Sequence, residues 1–87
     1  QVEQFARAVA PELAPRRINV VSPGVIDTPM FGPDADARVK MLEGATARNL
    51  IPRAGTADEV AEAIVFVAGN EFVTGTTVEV DGGWILS

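Results

Sequence analysis

Ile18-Asn19-Val20-Val21-Ser22-Pro23-Gly24-Val25-Ile26-Asp27-Thr28-Pro29-Met30 is the stretch whose reading decides the fold. The near-continuous β-branched run of Ile18, Val20 and Val21 reads as a strand covered on both faces, the pattern of a parallel sheet. Pro23, with no N–H to give a ladder, is expected to stop that strand and turn the chain out of the sheet. Gly24 permits backbone angles and close approaches that a Cβ forbids, and Ile26 to Thr28 offer main-chain groups and one hydroxyl at the strand's C-terminal end. In open α/β sheets, ligands bind at that end.

On the N-terminal side, Val2, Phe5, Ala6, Val9, Ala10 and Leu13 recur at helical spacing, with Glu3, Gln4, Arg7 and Glu12 opposite them. Pro11 falls inside this amphipathic helix, where proline deletes a hydrogen bond at a cost of ~3 kcal/mol, so the helix is expected to kink or to end near Ala10. Pro15 and the pair Arg16-Arg17 lead into the strand. On the C-terminal side, Gly32, Pro33, Asp34, Asp36, Gly44 and Pro52 break residues 30–52 into irregular chain with one short helix expected around Ala35 to Leu42. Asp34 and Asp36 suit its N-terminus, where carboxylates meet unpaired N–H groups.

Thr56-Ala57-Asp58-Glu59 has the spacing of a capping box and starts a further helix. Val60, Ala63, Ile64, Val67 and Ala68 form its apolar face, Phe66 widens it, and Gly69-Asn70 predict a left-handed termination. After Gly75, the alternation of Thr76, Val78 and Val80 with Thr77 and Glu79 reads as a second strand, ended by a turn at Asp81-Gly82-Gly83. Trp84, Ile85 and Leu86 make an apolar tail suited to core or to subunit contact. The order is helix, strand, flap, helix, strand, and two strands joined through a long helical crossover are expected to be parallel and right-handed.

Composition narrows the function. With 87 residues the chain is at most one small domain and buries a modest core. Seven Lys and Arg stand against twelve Asp and Glu, for a net charge of -5 without a continuous basic stripe. Nucleic acid and anionic membranes are therefore not expected as partners. The absence of Cys and His removes disulfides, thiol nucleophiles, serine–histidine relays and the usual zinc ligands, so no metal site is expected. No apolar run approaches the roughly 20 residues that span a bilayer, and no signal peptide opens the chain, which makes a cytoplasmic protein the expectation.

Three motifs resemble one family. Asn19-x-x-x-Pro23-Gly24-x-Ile26-x-Thr28-x-Met30 is similar to the segment after the sixth strand of short-chain dehydrogenases/reductases. Arg53-x-Gly55-x-x-Asp58-Glu59-Val60-Ala61 resembles the approach to that family's last large helix, and Val73-Thr74-Gly75-x-x-Val78-x-Val80-Asp81-Gly82-Gly83 resembles its last strand. The resemblance covers almost the whole chain. It implies an α/β fold, with residues 1–87 forming the C-terminal portion of a single Rossmann-type domain built on a doubly wound parallel sheet.

The implied activity is hydride transfer between NAD or NADP and a small-molecule alcohol or carbonyl. By the same resemblance Pro23, Gly24 and Ile26 line the nicotinamide, with the Ile26 main chain bonding its carboxamide. Thr28 bonds the carboxamide or a phosphate, or else caps the turn before Pro29. Met30 and Phe31 line the substrate pocket or pack within their own flap, which spans about residues 30–52 and is expected to be the most mobile part. Lys40 reads as a solvated side chain.

Family members use a Tyr-x-x-x-Lys motif at the start of the helix that is already under way at Val2, and a glycine-rich phosphate loop. This sequence has no tyrosine, and its only lysine is Lys40. The catalytic Tyr and Lys are accordingly expected upstream of Gln1, and the 87 residues alone are expected to be inactive. The resemblance further implies a homodimer or homotetramer built through Val2 to Leu13 and Val78 to Leu86. The competing reading is a non-catalytic, truncated relative that serves as an interaction module.

Overall fold

The computed structural model describes residues 2–28 and 34–84. Its elements follow the order expected: α1 (Val2–Leu13), β1 (Val20–Pro23), α2 (Ala35–Thr46), α3 (Ala57–Gly69) and β2 (Thr77–Val80). The strands are parallel, pairing Val20 with Thr77, Val21 with Val78, Ser22 with Glu79 and Pro23 with Val80. Helix α3 lies against both strands and α1 against β1, which makes a layered α/β fold.

The structure changes the reason for which β1 ends at Pro23. Pro23 is the last residue of β1, as expected, but the reason is not a lost ladder bond. The N–H groups of Val20 and Gly24 donate to Thr76 and Val80, both at 2.9 Å, so even-numbered residues face β2. Pro23 has odd parity, and its missing N–H costs no ladder bond. Val20, Val21 and Ser22 are half-buried and Pro23 is exposed. With one neighbouring strand and partial helical cover, the β-branched run keeps part of its surface in water.

Asn19 extends the ladder with a side chain. Its amide nitrogen donates to the Val73 carbonyl at 3.0 Å and its amide oxygen accepts from the Thr76 N–H at 3.2 Å. The Gly75 N–H reaches the Ile18 carbonyl at 2.7 Å, with Gly75 at φ +72 as its turn requires. These bonds support the parallel register at the residues just ahead of the first strand pair.

Helix α1 passes through Pro11 to Leu13 instead of ending near Ala10. Proline removes one bond, to the Arg7 carbonyl, on an exposed stretch where water can replace it. Just past the helix, the Ala14 N–H bonds the Ala10 carbonyl at 3.2 Å.

Helix α2 starts as read. The Asp34 carboxylate accepts from the N–H groups of Asp36 and Ala37 at 3.0 and 3.3 Å. It runs four residues beyond Leu42, through Gly44, to Thr46. Buried Leu42 and Thr46 hold that last turn, and the Thr46 hydroxyl bonds the Leu42 carbonyl at 2.8 Å.

Helix α3 opens on the expected capping box: Thr56 Oγ1 accepts from the Glu59 N–H at 3.1 Å, and Glu59 Oε1 accepts from the Thr56 N–H at 2.9 Å. Arg53 joins it with two bonds to the Glu59 carboxylate, at 2.9 and 2.8 Å. The Arg53 bond, and after it the Thr56 N–H, hold the Glu59 carboxyl well below its ordinary value of 4.5, at about 2. Because the folded value is the depressed one, the stabilisation is present above about pH 4.5 and is lost as pH falls toward 2. Thermal melting should therefore show wild type losing more stability than Glu59→Gln over that interval, with the two curves converging at the acid end. Parallel curves would place the carboxylate outside the cap.

The far end of α3 departs from the sequence reading. Gly69 and Asn70 do not adopt positive φ, and Asn70 is extended at φ -96 and ψ 103. The Arg17 guanidinium makes a left-handed cap unnecessary. It donates to the carbonyls of Val67 and Ala68, both at 2.7 Å, and to Val73 at 3.2 Å, at a terminus with no basic residue in its own last turn. Asn70 instead accepts the Phe72 N–H on its side chain at 3.0 Å and turns the chain toward β2.

Among the described residues the buried apolar core is Ala6, Leu42 and Val67. Ile64, Phe66 and Ala68, assigned to the apolar face of α3, are exposed.

Candidate functional site

The residues after β1 are held on two sides. Gly24 donates its N–H to Val80 and lies so close to β2 that a Cβ there would stand 2.8 Å from both Cα and Cβ of Asp81. Two residues later the chain is stitched to the approach to α3. The Gly55 N–H bonds the Val25 carbonyl and the Asp27 N–H bonds the Gly55 carbonyl, each at 2.9 Å, making a parallel bridge between Ile26 and Gly55. A Cβ on Gly55 would stand 2.8 Å from the terminal methyl of Ile26, which would have to turn aside to admit it.

This bridge has a chemical consequence at Ile26. It uses the carbonyl of the residue before and the N–H of the residue after, so Ile26's own N–H and C=O take no part in it and point the other way. A donor and an acceptor on one rigid residue are the complement of a carboxamide.

The side chains form two hollows. Pro23, Ile26 and Thr28 line one of about 330 Å³ together with Ala57, Val60 and Ile64 of α3. Its volume lies at the lower end of the ~300–1,000 Å³ usual for small-molecule sites, and its walls are apolar apart from the Thr28 hydroxyl. Pro23 and Gly24 line the second, of about 230 Å³, with Asp81 and Trp84. Three of the four cofactor candidates thus share one hollow, and Pro23 joins it to the hollow that Gly24 lines. Thr28 is half-buried at the end of the described stretch. Met30 and Phe31, the substrate candidates, lie outside the described residues, as do Pro29, Ile85 and Leu86.

Several residues of this neighbourhood carried no functional signal in the sequence. Asp27 pairs with Arg38 of α2 at 3.3 Å. Asn49 donates to the Asp81 carbonyl at 3.4 Å, and the Ile51 N–H bonds the Gly82 carbonyl at 2.9 Å. Gly82 and Gly83 have φ +65 and +80, and a Cβ on Gly83 would meet the Leu50 side chain at 2.9 Å. The turn that ends β2 is therefore also the seat for the end of the flap, a contact across about thirty residues that local pattern does not reveal.

Comparison with known proteins decides the family. A sequence profile described as enoyl-(acyl carrier protein) reductase matches residues 1–85. A short-chain dehydrogenase/reductase of Stachybotrys chlorohalonatus is 42% identical over 85 residues, covering 98% of this chain and 34% of that protein. The chain belongs to the short-chain dehydrogenase/reductase family. A 3-oxoacyl-[acyl-carrier-protein] reductase of Pseudomonas aeruginosa is 40% identical over 90 residues, covering 99% of this chain and 35% of the relative. Among solved structures, a small-chain dehydrogenase in complex with NADPH superposes with a TM-score of 0.84 at 36% identity, over 99% of this chain and 40% of that one. The chain spans about a third of the length of the curated short-chain dehydrogenases/reductases it matches. The α/β fold with parallel strands is that of the family's Rossmann domain. Among the described residues no helix is long and apolar enough to cross a membrane.

Proposed function

We propose that the complete protein is an NAD(P)-dependent oxidoreductase that moves a hydride between the nicotinamide and an alcohol or carbonyl carbon, and that residues 23–28 hold the nicotinamide end. The observation that carries this reading is the Ile26–Gly55 bridge, which fixes Ile26 while leaving its N–H and C=O turned away from Gly55. The donor set fits a nicotinamide: paired main-chain groups for the carboxamide, an apolar wall for the ring, and the Thr28 hydroxyl at the lip. The bound nicotinamide supplies or accepts the hydride. The chain's own residues orient the ring and keep water from one side of it.

Proton transfer to the substrate oxygen falls to the Tyr and Lys expected upstream of Gln1, so the 87 residues alone are inactive in this reading. Assembly as a homodimer or homotetramer through α1 and residues 78–86, which the family resemblance implies, belongs to the same proposal, as does a cytoplasmic location.

Titrating the complete gene product with NADPH by fluorescence tests the assignment. Thr28→Ala removes one or two hydrogen bonds worth about 0.5–1.5 kcal/mol each, and should weaken binding by up to about tenfold per bond with the fold retained. Unchanged affinity for NADPH and NADH alike would return Thr28 to its other role, capping the turn before Pro29.

A further inference from the structure

The turn that ends β2 is soft by composition and firm by contact. Gly82 and Gly83, at φ +65 and +80, give residues 81–83 more backbone freedom than other residue types allow, and within the turn the Gly83 N–H bonds Asp81 Oδ1 at 2.9 Å. Three successive residues grip it from outside. Asn49 donates its side-chain amide to the Asp81 carbonyl at 3.4 Å, the Ile51 N–H bonds the Gly82 carbonyl at 2.9 Å, and Leu50 occupies the space that a Cβ on Gly83 would need. Asn49 is only 9% exposed, and an amide buried so far is costly unless it is hydrogen-bonded.

The same Asp81 meets the nicotinamide loop. A Cβ on Gly24 would stand 2.8 Å from its Cα and Cβ and 3.3 Å from its carbonyl oxygen, the atom that Asn49 bonds. Gly24 therefore rests on the peptide that Asn49 holds, while Asn49 itself lines neither hollow beside residues 23–28. From this relay we infer that Asn49 is a positioning residue of the nicotinamide site, acting through Asp81 on Gly24. The inference rests on the proposed function and deepens it, by naming a residue of another element that sets where the loop stands.

The experiment is NADPH titration of the complete gene product by fluorescence, with Asn49→Leu, Asn49→Asp, Gly24→Ala and the double variant Asn49→Leu with Gly24→Ala. Asn49→Leu should weaken binding by about two- to tenfold, the effect of one hydrogen bond. Asn49→Asp keeps the shape, loses the donor and should weaken binding at least as much. In the Gly24→Ala background Asn49→Leu should cost less than about twofold, because both substitutions act on the same Asp81 contact and their effects do not add. Urea unfolding of each variant separates the roles, since an amide that only stabilised the fold would lower the midpoint and leave the NADPH affinity of the folded protein at the wild-type value. Wild-type affinity in the folded Asn49 variants, or losses that simply add in the double variant, would overturn the inference. Weak binding by Gly24→Ala beside normal binding by both Asn49 variants sinks this inference alone, whereas wild-type affinity in all of them sinks the nicotinamide assignment of residues 23–28 with it.

Discussion

Replacing Gly24 by alanine should lower stability by about 1–3 kcal/mol, the usual cost of overpacking a filled site, and weaken NADPH binding together with it. The added Cβ would stand 2.8 Å from Cα and Cβ of Asp81, and one of those is main chain that cannot rotate away. Relief requires the residues after β1 to part from β2, stretching the Gly24 bond to Val80 and moving Pro23 and Ile26 with it. Gly44→Ala is the control. Its Cβ meets nothing within 4 Å, and alanine inside a helix should stabilise by roughly 0.5–1 kcal/mol. Urea denaturation of both variants, with NADPH titration, reads the difference. Equal stability of the two would show that the approach of Gly24 to Asp81 is not tight.

Arg17→Ala should cost about 1.5–3 kcal/mol, because one cation satisfies the carbonyls of Val67, Ala68 and Val73 at the end of α3. Removing it leaves those carbonyls without their donor at the point where α3 hands the chain to β2. Arg17→Lys should recover little, since the two nitrogens of the guanidinium fork reach two successive carbonyls at 2.7 Å and an ammonium is a single point. Equilibrium unfolding measures the loss, and amide exchange over residues 70–76 locates it. A lysine variant as stable as wild type would mean that charge near the helix end, not the fork, is what matters.

These two residues also mark how far the sequence could be read. Signals that act over three or four residues were legible: Asp34 ahead of α2, the Thr56–Glu59 box ahead of α3, and the turn at Asp81 to Gly83 all stand where local chemistry put them. Readings failed where a distant partner decided the outcome. Gly69-Asn70 promised a left-handed cap, but Arg17, some fifty residues earlier, had already taken the carbonyls such a cap serves. Pro23 does end β1, but strand parity turns its nitrogen away from β2, so the missing N–H is not what ends it.

The candidate site divides in the same way. Pro23, Gly24, Ile26 and Thr28 could be picked out because one short stretch resembling a family motif carries all four. The residues that hold them in place could not: Gly55 through its bridge, Asp81 through its contact with Gly24, and Arg38 through Asp27 are each brought in by the fold from another element.

The most direct test of the central claim, that residues 23–28 receive the nicotinamide, is amide exchange of the complete gene product with and without saturating NADPH or NADH. Protection should appear over residues 24–28, where the Ile26 N–H gains a partner, while the Asp27 and Gly55 amides, already bonded, change least. Saturation by either nucleotide with no change in exchange across residues 24–28 would contradict it.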